Sequence, residues 1–183
     1  LPGLLESAAG MPTEAQQAVE RARRMVSVVT GLAQRIAAVT PVDDIIEAIV
    51  DLVFETTPAE RAGLFLWDEE TARLVPKRAR ARAGTEPGTM LASESLVRRA
   101  FAEKLTVHLD PTASPSASAS RLQLRSAVAV PLLDEKKAVG VIYADSSLHQ
   151  GAFDAFEVSL LSALANHAAL ALEQSRLLPR IRT

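Results

Sequence analysis

Hydrophobic side chains near the start of the chain recur at the spacing of an amphipathic helix. Apolar residues between positions 13 and 40 follow one another at intervals of four and three, which keeps them on one stripe of a helix. Thr13 stands at the expected N-cap and Gln16 three residues later, the arrangement of a capping box. The stripe consists of Met25, Val29, Leu32, Ile36 and Val39.

A second helix is predicted directly after the first. Thr40 is the expected N-cap, Pro41 suits the first helical position, and Asp43 favours the positive end of the helix dipole. Isoleucine and valine recur along this segment as far as Phe54. Pro58 then ends the helix, because proline cannot continue the backbone hydrogen bonding.

From residue 62 the period of the hydrophobic pattern changes to two. Apolar side chains occupy both faces of residues 62–67, which is typical of an inner strand. Residues 74–83 predict a second strand that carries Arg78, Arg80 and Arg82 on one face and alanines on the other.

The middle of the chain mixes short elements with loops. A glycine- and proline-containing loop at 84–88 leads to a short helix near 93–104 and a brief strand at 105–109. Residues 110–120 are small and polar without a period, which predicts a mobile loop.

The last third predicts a hairpin and a long helix. Residues 126–133 and 138–145 form two apolar strands around the charged turn 134–137. Asp154 caps the final helix with Glu157 three residues later, and the helix runs to about residue 178. Two stripes of this helix have heptad spacing, one with Leu160, Leu164, His167, Ala171, Gln174 and Leu178, the other with Leu161, Ala165, Ala168 and Leu172.

Together these elements predict an α+β domain. Tight connections between neighbouring strands favour a mostly antiparallel sheet of five to six strands. The terminal helices should pack on one face of it, and the short helix with the 110–120 loop should cover the other.

Composition narrows the class of protein. The 183 residues suit one domain with flanking helices, and 20 basic against 22 acidic residues give no reason to expect nucleic acid or a membrane surface. The absence of cysteine excludes disulfides, thiolate nucleophiles and Cys-ligated metals. No apolar run reaches the length of a membrane-spanning helix. The absence of cysteine also fits a reducing compartment, so we expect a cytoplasmic protein. Because the chain begins with Leu1 and not Met, we expect it to be a fragment of a longer protein.

Three segments carry a family resemblance. The run Ser126-Ala-Val-Ala-Val-Pro-Leu-Leu, a charged turn and Ala138-Val-Gly-Val-Ile-Tyr-Ala-Asp resemble the signature hairpin of GAF domains. Phe153-Asp-Ala-Phe-Glu and the apolar helix after it are similar to the family's closing helix, and Arg61-Ala-Gly-Leu-Phe-Leu-Trp-Asp to its first strand.

The resemblance implies a regulatory module rather than an enzyme. GAF domains of this kind sense small molecules or gases, or only dimerise, beside nucleotide cyclases, histidine kinases or AAA+ transcription activators. The expected organisation is a linker end at 1–12, a signalling and dimerisation helix at 13–40, a GAF domain at 41–178 and the start of a linker to an output domain at 179–183.

Several family functions do not fit the sequence. Members that bind cyclic nucleotides carry an Asn-Lys-Phe-Asp-Glu signature, of which only Phe153 and Asp154 are present. Bilin-binding members and the free methionine sulfoxide reductases of this fold need cysteine. We therefore expect no cofactor, with a cyclic nucleotide, or haem held by His108, as minor alternatives.

Other features have ordinary structural interpretations. His108, His149 and His167 are too far apart in sequence for a paired metal motif, and the residues after His167 do not match a phospho-accepting histidine. The arginine triplet of the second strand is interpreted as protection of a sheet edge rather than as a nucleic-acid contact. No catalytic motif is present.

Two sets of functional residues are predicted. The ligand pocket should lie opposite the terminal helices, with Trp67, Ser95, Arg98, Arg125 and Tyr143 as its candidates. The helical stripes either cover the sheet or form the seam of a parallel homodimer. The dimer candidates are Met25, Val29, Leu32, Ile36, Leu164, His167, Ala171 and Leu178.

Overall fold

A computed structural model describes residues 13–38, 41–83, 93–109, 124–148 and 151–181, with the backbone alone at 178–181. Several predictions lie outside these residues. They are the cap at Thr40, the loops at 84–88 and 110–120, and the setting of His149.

Nine elements follow one another along the described chain. They are α1 (Glu14–Ala37), α2 (Val42–Thr56), β1 (Arg61–Asp68), β2 (Arg73–Ala81), α3 (Glu94–Glu103), β3 (Val107–His108), β4 (Ser126–Asp134), β5 (Lys137–Ser146) and α4 (Ala155–Ile181). The β3 strand is shorter than the 105–109 segment predicted, and β2 ends two residues before the predicted end at 83.

The strands form one antiparallel sheet in the order β2-β1-β5-β4-β3. This confirms the predicted α+β fold with its antiparallel sheet. β5 lies at the centre, between β1 and β4, and β2 is an edge strand of the described sheet.

The two faces of the sheet are covered by different helices. Alternate residues of β1, such as Leu64, are buried against the helical layer of α1, α2 and α4, where Ile49 and Leu161 lie in the main core. On the opposite face Tyr143 packs with Val97 of α3. The predicted separation of terminal helices from the short helix is therefore confirmed.

Local capping chemistry sets the helix starts. The predicted capping box is present at Thr13 and Gln16, and Asp154 accepts hydrogen bonds from the N–H groups of Phe156 and Glu157. The prediction for Pro41 is wrong by one position, since Pro41 is the N-cap residue itself and gives no side-chain hydrogen bond.

The prediction that no segment is apolar enough to span a membrane needs correction. Residues Ala155–Leu177 of α4 are long and apolar enough by composition, with a mean hydropathy of 1.4. Such a helix is also what the core of a soluble domain contains. Leu161, Leu164 and Ala168 of α4 are buried in the main core, so its apolar character is used in packing.

The arginine triplet joins the edge strand to α2. Arg78 pairs with Glu47 at 2.8 Å and Arg80 with Asp51 at 2.6 Å. Arg82 donates to the backbone oxygen atoms of Phe54, Thr57 and Ala59, near the end of α2. The triplet therefore stabilises the contact between strand and helix, and the charges of Arg78 and Arg80 are matched there by carboxylates.

Half of the eight dimer candidates lie inside the protomer. Leu32, Ile36, Leu164 and Ala171 are buried in the main core, so these four are wrongly assigned to a seam between subunits. Met25, Val29 and His167 are half-buried, and the Leu178 side chain lies outside the described residues. Both heptad stripes of α4 are used within the domain, since Leu161, Ala165, Ala168 and Leu172 are buried as well.

Candidate functional site

An aromatic pair marks the face of the sheet opposite the main core. The alternation of β1 directs Trp67 to the same face as α3. There its indole ring stacks on Phe101 with 4.8 Å between ring centroids and 20° between planes. This geometry is that of an offset-stacked pair.

The aromatic pair forms one wall of a cleft between the β1–β2 hairpin and α3. Its volume is about 590 Å³, within the range of small-molecule sites. None of the described residues that line it is acidic. We call this the aromatic cleft, and its lining residues are Trp67, Ala72, Arg73, Leu74, Arg98 and Phe101.

Arg98 is the predicted polar residue that the cleft contains. Its guanidinium is 3.6 Å from the Glu94 carboxylate, and the two side chains are 78% and 72% exposed. An exposed ion pair one helical turn apart contributes only a few tenths of a kcal/mol. Arg98 can therefore turn toward a ligand at little cost.

Three predicted pocket residues do not line the cleft. Ser95 is exposed and shares a 3.1 Å hydrogen bond with the hydroxyl of Ser93. Arg125 is exposed, and its backbone N–H donates to the carbonyl of Ser146 at the other end of the sheet. Tyr143 is fully buried and belongs to a second group of polar residues.

That second group is centred on a buried ion pair. Arg61 Nε donates to Asp145 Oδ1 at 2.7 Å, and the Tyr143 hydroxyl donates to Oδ2 at 2.7 Å. Burial raises the pKa of Asp145, against the hydrogen bonds from Arg61 and Tyr143 that lower it. Burial and the neighbouring carboxylate also raise the pKa of Tyr143. We call Arg61, Tyr143 and Asp145 the buried polar cluster.

Sequence reasoning missed two of the three cluster residues. The signal was present in the strand pattern, because Tyr143 and Asp145 are two apart and so share a face of β5. Arg61 lies opposite Asp145 in the β1–β5 register. That partner could not be identified without knowing that β1 pairs with β5.

A second buried carboxylate fixes the chain after β5. Glu60 Oε2 accepts hydrogen bonds from the Ser146 hydroxyl at 2.7 Å and from the N–H groups of Ser147 and Leu148 at 2.5 and 3.0 Å. Burial acts to raise the pKa of Glu60, but these hydrogen bonds outweigh it, and the pKa is lowered.

The lowered pKa makes a prediction for acid stability. Glu60 binds a proton more readily in the unfolded chain than in the folded one. Its contribution to the free energy of unfolding is therefore fully present above its unfolded pKa, and it is lost as the pH falls through its folded pKa. We expect Glu60→Gln to flatten the fall in unfolding free energy between about pH 6 and pH 3. Urea titrations at each pH measure this, and a curve parallel to that of the wild type would contradict it.

The described residues contain no group of three metal-ligating side chains. His108 is exposed on β3 and His167 is half-buried on α4.

Comparison with known proteins gives a family. The sequence profile of the GAF domain matches residues 41–174. No curated protein matches the chain.

Solved structures share this fold at low sequence identity. The GAF domain of an Acinetobacter phosphoenolpyruvate-protein phosphotransferase has a TM-score of 0.66 at 18% identity, over 82% of this chain and 93% of its own. The GAF domain of a sensor histidine kinase from Pseudomonas syringae pv. tomato has 0.64 at 13%, over 92% and 98%.

An enzyme has the same fold. The free methionine-R-sulfoxide reductase of Neisseria meningitidis has a TM-score of 0.66 at 23% identity, over 84% of this chain and 91% of its own. At these identities the structures show the fold alone, whereas the profile covers most of the sequence. The chain therefore belongs to the GAF domain family.

Proposed function

We propose that this domain binds a small ligand on the α3 face of its sheet and relays binding to an output domain through paired helices. The aromatic cleft carries the proposal. It combines the stacked rings of Trp67 and Phe101 with two cationic side chains, Arg73 and Arg98, of which Arg98 has only a weak partner. The cleft faces away from α1 and α4, so a ligand there acts on those helices through the sheet.

The output is proposed to be a cyclase, a histidine kinase or an AAA+ transcription activator. We also propose that the domain works in the cytoplasm and binds neither haem nor a cyclic nucleotide. We propose no contact with nucleic acid or membrane. The near balance of 20 basic and 22 acidic residues supports the absence of such contacts, as does the pairing of Arg78 and Arg80 with α2.

The cleft contains its own reporter, because Trp67 is the single tryptophan of the chain. A ligand against the Trp67–Phe101 pair should change the indole emission. We expect at least one compound of a nucleotide and metabolite panel to change it in a saturable way and to raise the melting temperature. Flat fluorescence and flat melting curves across the panel would contradict the sensor function.

Adjacent arginines on α3 provide a matched control. Arg98→Ala should weaken a fluorescence-active ligand about tenfold, the loss expected for one polar anchor. Arg99→Ala should leave affinity unchanged, since Arg99 pairs with Glu103 at 2.9 Å and does not line the cleft. Equal losses in both variants would mean that Arg98 is not an anchor.

A ligand-free dimerisation scaffold is the second candidate function. Every residue from 13 to 24 in the first half of α1 is exposed. An isolated helix of this length is only marginally stable in water unless it packs against a neighbour. One stripe of α1 at heptad spacing is exposed to half-exposed and apolar throughout. It consists of Ala15, Val19, Ala22, Val26, Val29 and Ala33.

This stripe predicts a homodimer seam on α1 next to the stripe that was inferred from sequence. In size-exclusion chromatography with light scattering, we expect the mass of the wild type to be twice that of the monomer. Val19→Glu combined with Val26→Glu should give monomers, because charges replace facing apolar side chains. Ser27→Glu, an exposed change on the other side of α1, should leave the dimer intact. A monomeric wild type would exclude the scaffold.

A further inference from the structure

The aromatic cleft is lined by two arginines whose charges are poorly matched. Arg73 belongs to the start of β2 and Arg98 to α3, and both line the cleft. Arg98 has Glu94 at 3.6 Å as its partner, whereas Arg73 has no ion pair within the part of the chain that the structure describes. Two guanidinium groups without strong partners favour an anion in the cleft.

The acidic residues of the adjoining β1–β2 turn are engaged outside the cleft lining. Asp68 accepts two backbone N–H groups of the turn. Glu69 pairs with Lys137, and hydrogen bonds from the side chains of Lys137 and Trp67 lower the pKa of Glu69. Because the indole has a single N–H, Trp67 offers a ligand only its ring, and polar recognition in the cleft depends on the arginines.

The rings of the cleft are accessible next to this charge. Trp67 and Phe101 are both half-buried, so part of each stacked ring can still contact a ligand. Arg98 and Phe101 are three residues apart on α3 and therefore share a face of the helix. A planar ring can extend the stacked pair, and an anionic substituent on that ring then lies beside Arg98.

We propose that the aromatic cleft binds a planar aromatic ring that carries an anionic group, a carboxylate or a phosphate, and that this group displaces Glu94 from Arg98. This inference rests on the proposed ligand-binding function and adds to it a ligand class and a competing residue. The ring packs on Trp67 and Phe101, and the anionic group pairs with Arg98 and Arg73.

The contact between Glu94 and Arg98 is easily displaced. Its 3.6 Å separation is longer than a charge-assisted hydrogen bond, whereas the neighbouring pair of Arg99 and Glu103 on the same helix is at 2.9 Å. Glu94 also lies in the first turn of α3, where the helix dipole favours a carboxylate without help from Arg98. Arg98 therefore gains a direct hydrogen bond from a ligand anion, and Glu94 loses little.

Three small probes separate the ring from the charge. Benzoate has both, benzamide has the ring alone, and acetate has the charge alone. Each is titrated into the full chain at constant ionic strength, with Trp67 emission as the readout and N-acetyltryptophanamide as the control for non-specific quenching. We expect benzoate to bind in the millimolar range, at least about tenfold more tightly than benzamide or acetate.

Substitutions on α3 test the competing carboxylate. Glu94→Gln frees Arg98, so the affinity for benzoate should rise about two- to threefold, while the affinity for benzamide stays unchanged. Glu103→Gln is the matched control, because it removes the same charge from a pair that does not line the cleft. Equal tightening in both variants would overturn the role of Glu94.

Substitution of Arg73 tests the second cation. Arg73→Gln should weaken benzoate about tenfold and benzamide less than about twofold, because only the charged probe loses a partner. Lys77→Gln, an exposed change on the same strand that does not line the cleft, should leave both affinities unchanged. Equal losses of benzoate and benzamide in Arg73→Gln would contradict a role for its charge.

The outcomes separate this inference from the sensor function. Benzamide as tight as benzoate would overturn the anionic class, and acetate as tight as benzoate would overturn the aromatic one. If none of the three probes acts on Trp67 but another compound of the panel does, the ligand class is wrong and the sensor function stands. If no compound acts on Trp67 emission or on the melting temperature, both are wrong.

Discussion

Gly140→Ala is expected to destabilise the domain by about 3 kcal/mol, the upper range for inserting a methyl group into a packed core. Gly140 lies in β5, opposite Leu66 of β1 and Leu132 of β4. A Cβ atom there would lie 2.4 Å from the backbone oxygen of Phe65 and 2.9 Å from Cδ2 of Leu66. The leucine can rotate away, but the carbonyl belongs to a strand that is paired on both sides.

Gly31→Ala is the matched control for this change. Gly31 lies within α1, and a Cβ atom there would meet nothing within 4 Å. Alanine is the better helix former, so this variant should be up to about 1 kcal/mol more stable. Urea unfolding midpoints measure both variants. A Gly140→Ala domain as stable as the wild type would mean that β1 and β5 do not approach this closely.

Sequence reasoning predicted the fold well because the signals there are local. The caps at Thr13 and Asp154 depend on residues three positions apart, and both are present. The change from helical to alternating periodicity located β1. Pairing is a long-range property, so the central place of β5 in the sheet was not predicted from the sequence.

The helical stripes show where periodicity is ambiguous. Leu32 and Leu164 have the heptad spacing of a dimer seam, yet both are buried within their own protomer. Spacing indicates only that one face of a helix is apolar. It does not indicate which element, or which subunit, packs against that face. The exposed stripe through Val19 and Val26 is weaker in sequence because alanines alternate with valines, and it was missed.

Only part of the candidate site was predicted from the sequence. All of the pocket candidates were chosen by position, and of these Trp67 and Arg98 line the cleft. Ser95 and Arg125 lie elsewhere on the surface. Asp145 was passed over as the end of a strand, although it is 1% exposed and pairs with a residue 84 positions away.

Asp145→Ala is expected to cost about 3–5 kcal/mol, the effect of removing one partner from a buried ion pair. The change leaves the Arg61 guanidinium and the Tyr143 hydroxyl without their shared acceptor in a buried setting. Tyr143→Phe removes one hydrogen bond and leaves the ion pair, so about 1 kcal/mol should be lost. If Tyr143→Phe costs as much as Asp145→Ala, the hydrogen bond from the tyrosine, and not the ion pair, dominates the cluster.

A double-mutant cycle then separates the pair from the cost of an orphaned charge. Asp145→Leu combined with Arg61→Met removes both charges, and it should be less destabilised than the sum of the single changes, because no unpaired ion remains. Glu103→Ala, which breaks the exposed Arg99–Glu103 pair, should cost less than about 1 kcal/mol and serves as the reference. Additive losses in the cycle would show that Arg61 and Asp145 do not interact, and the ion pair would then contribute nothing to stability.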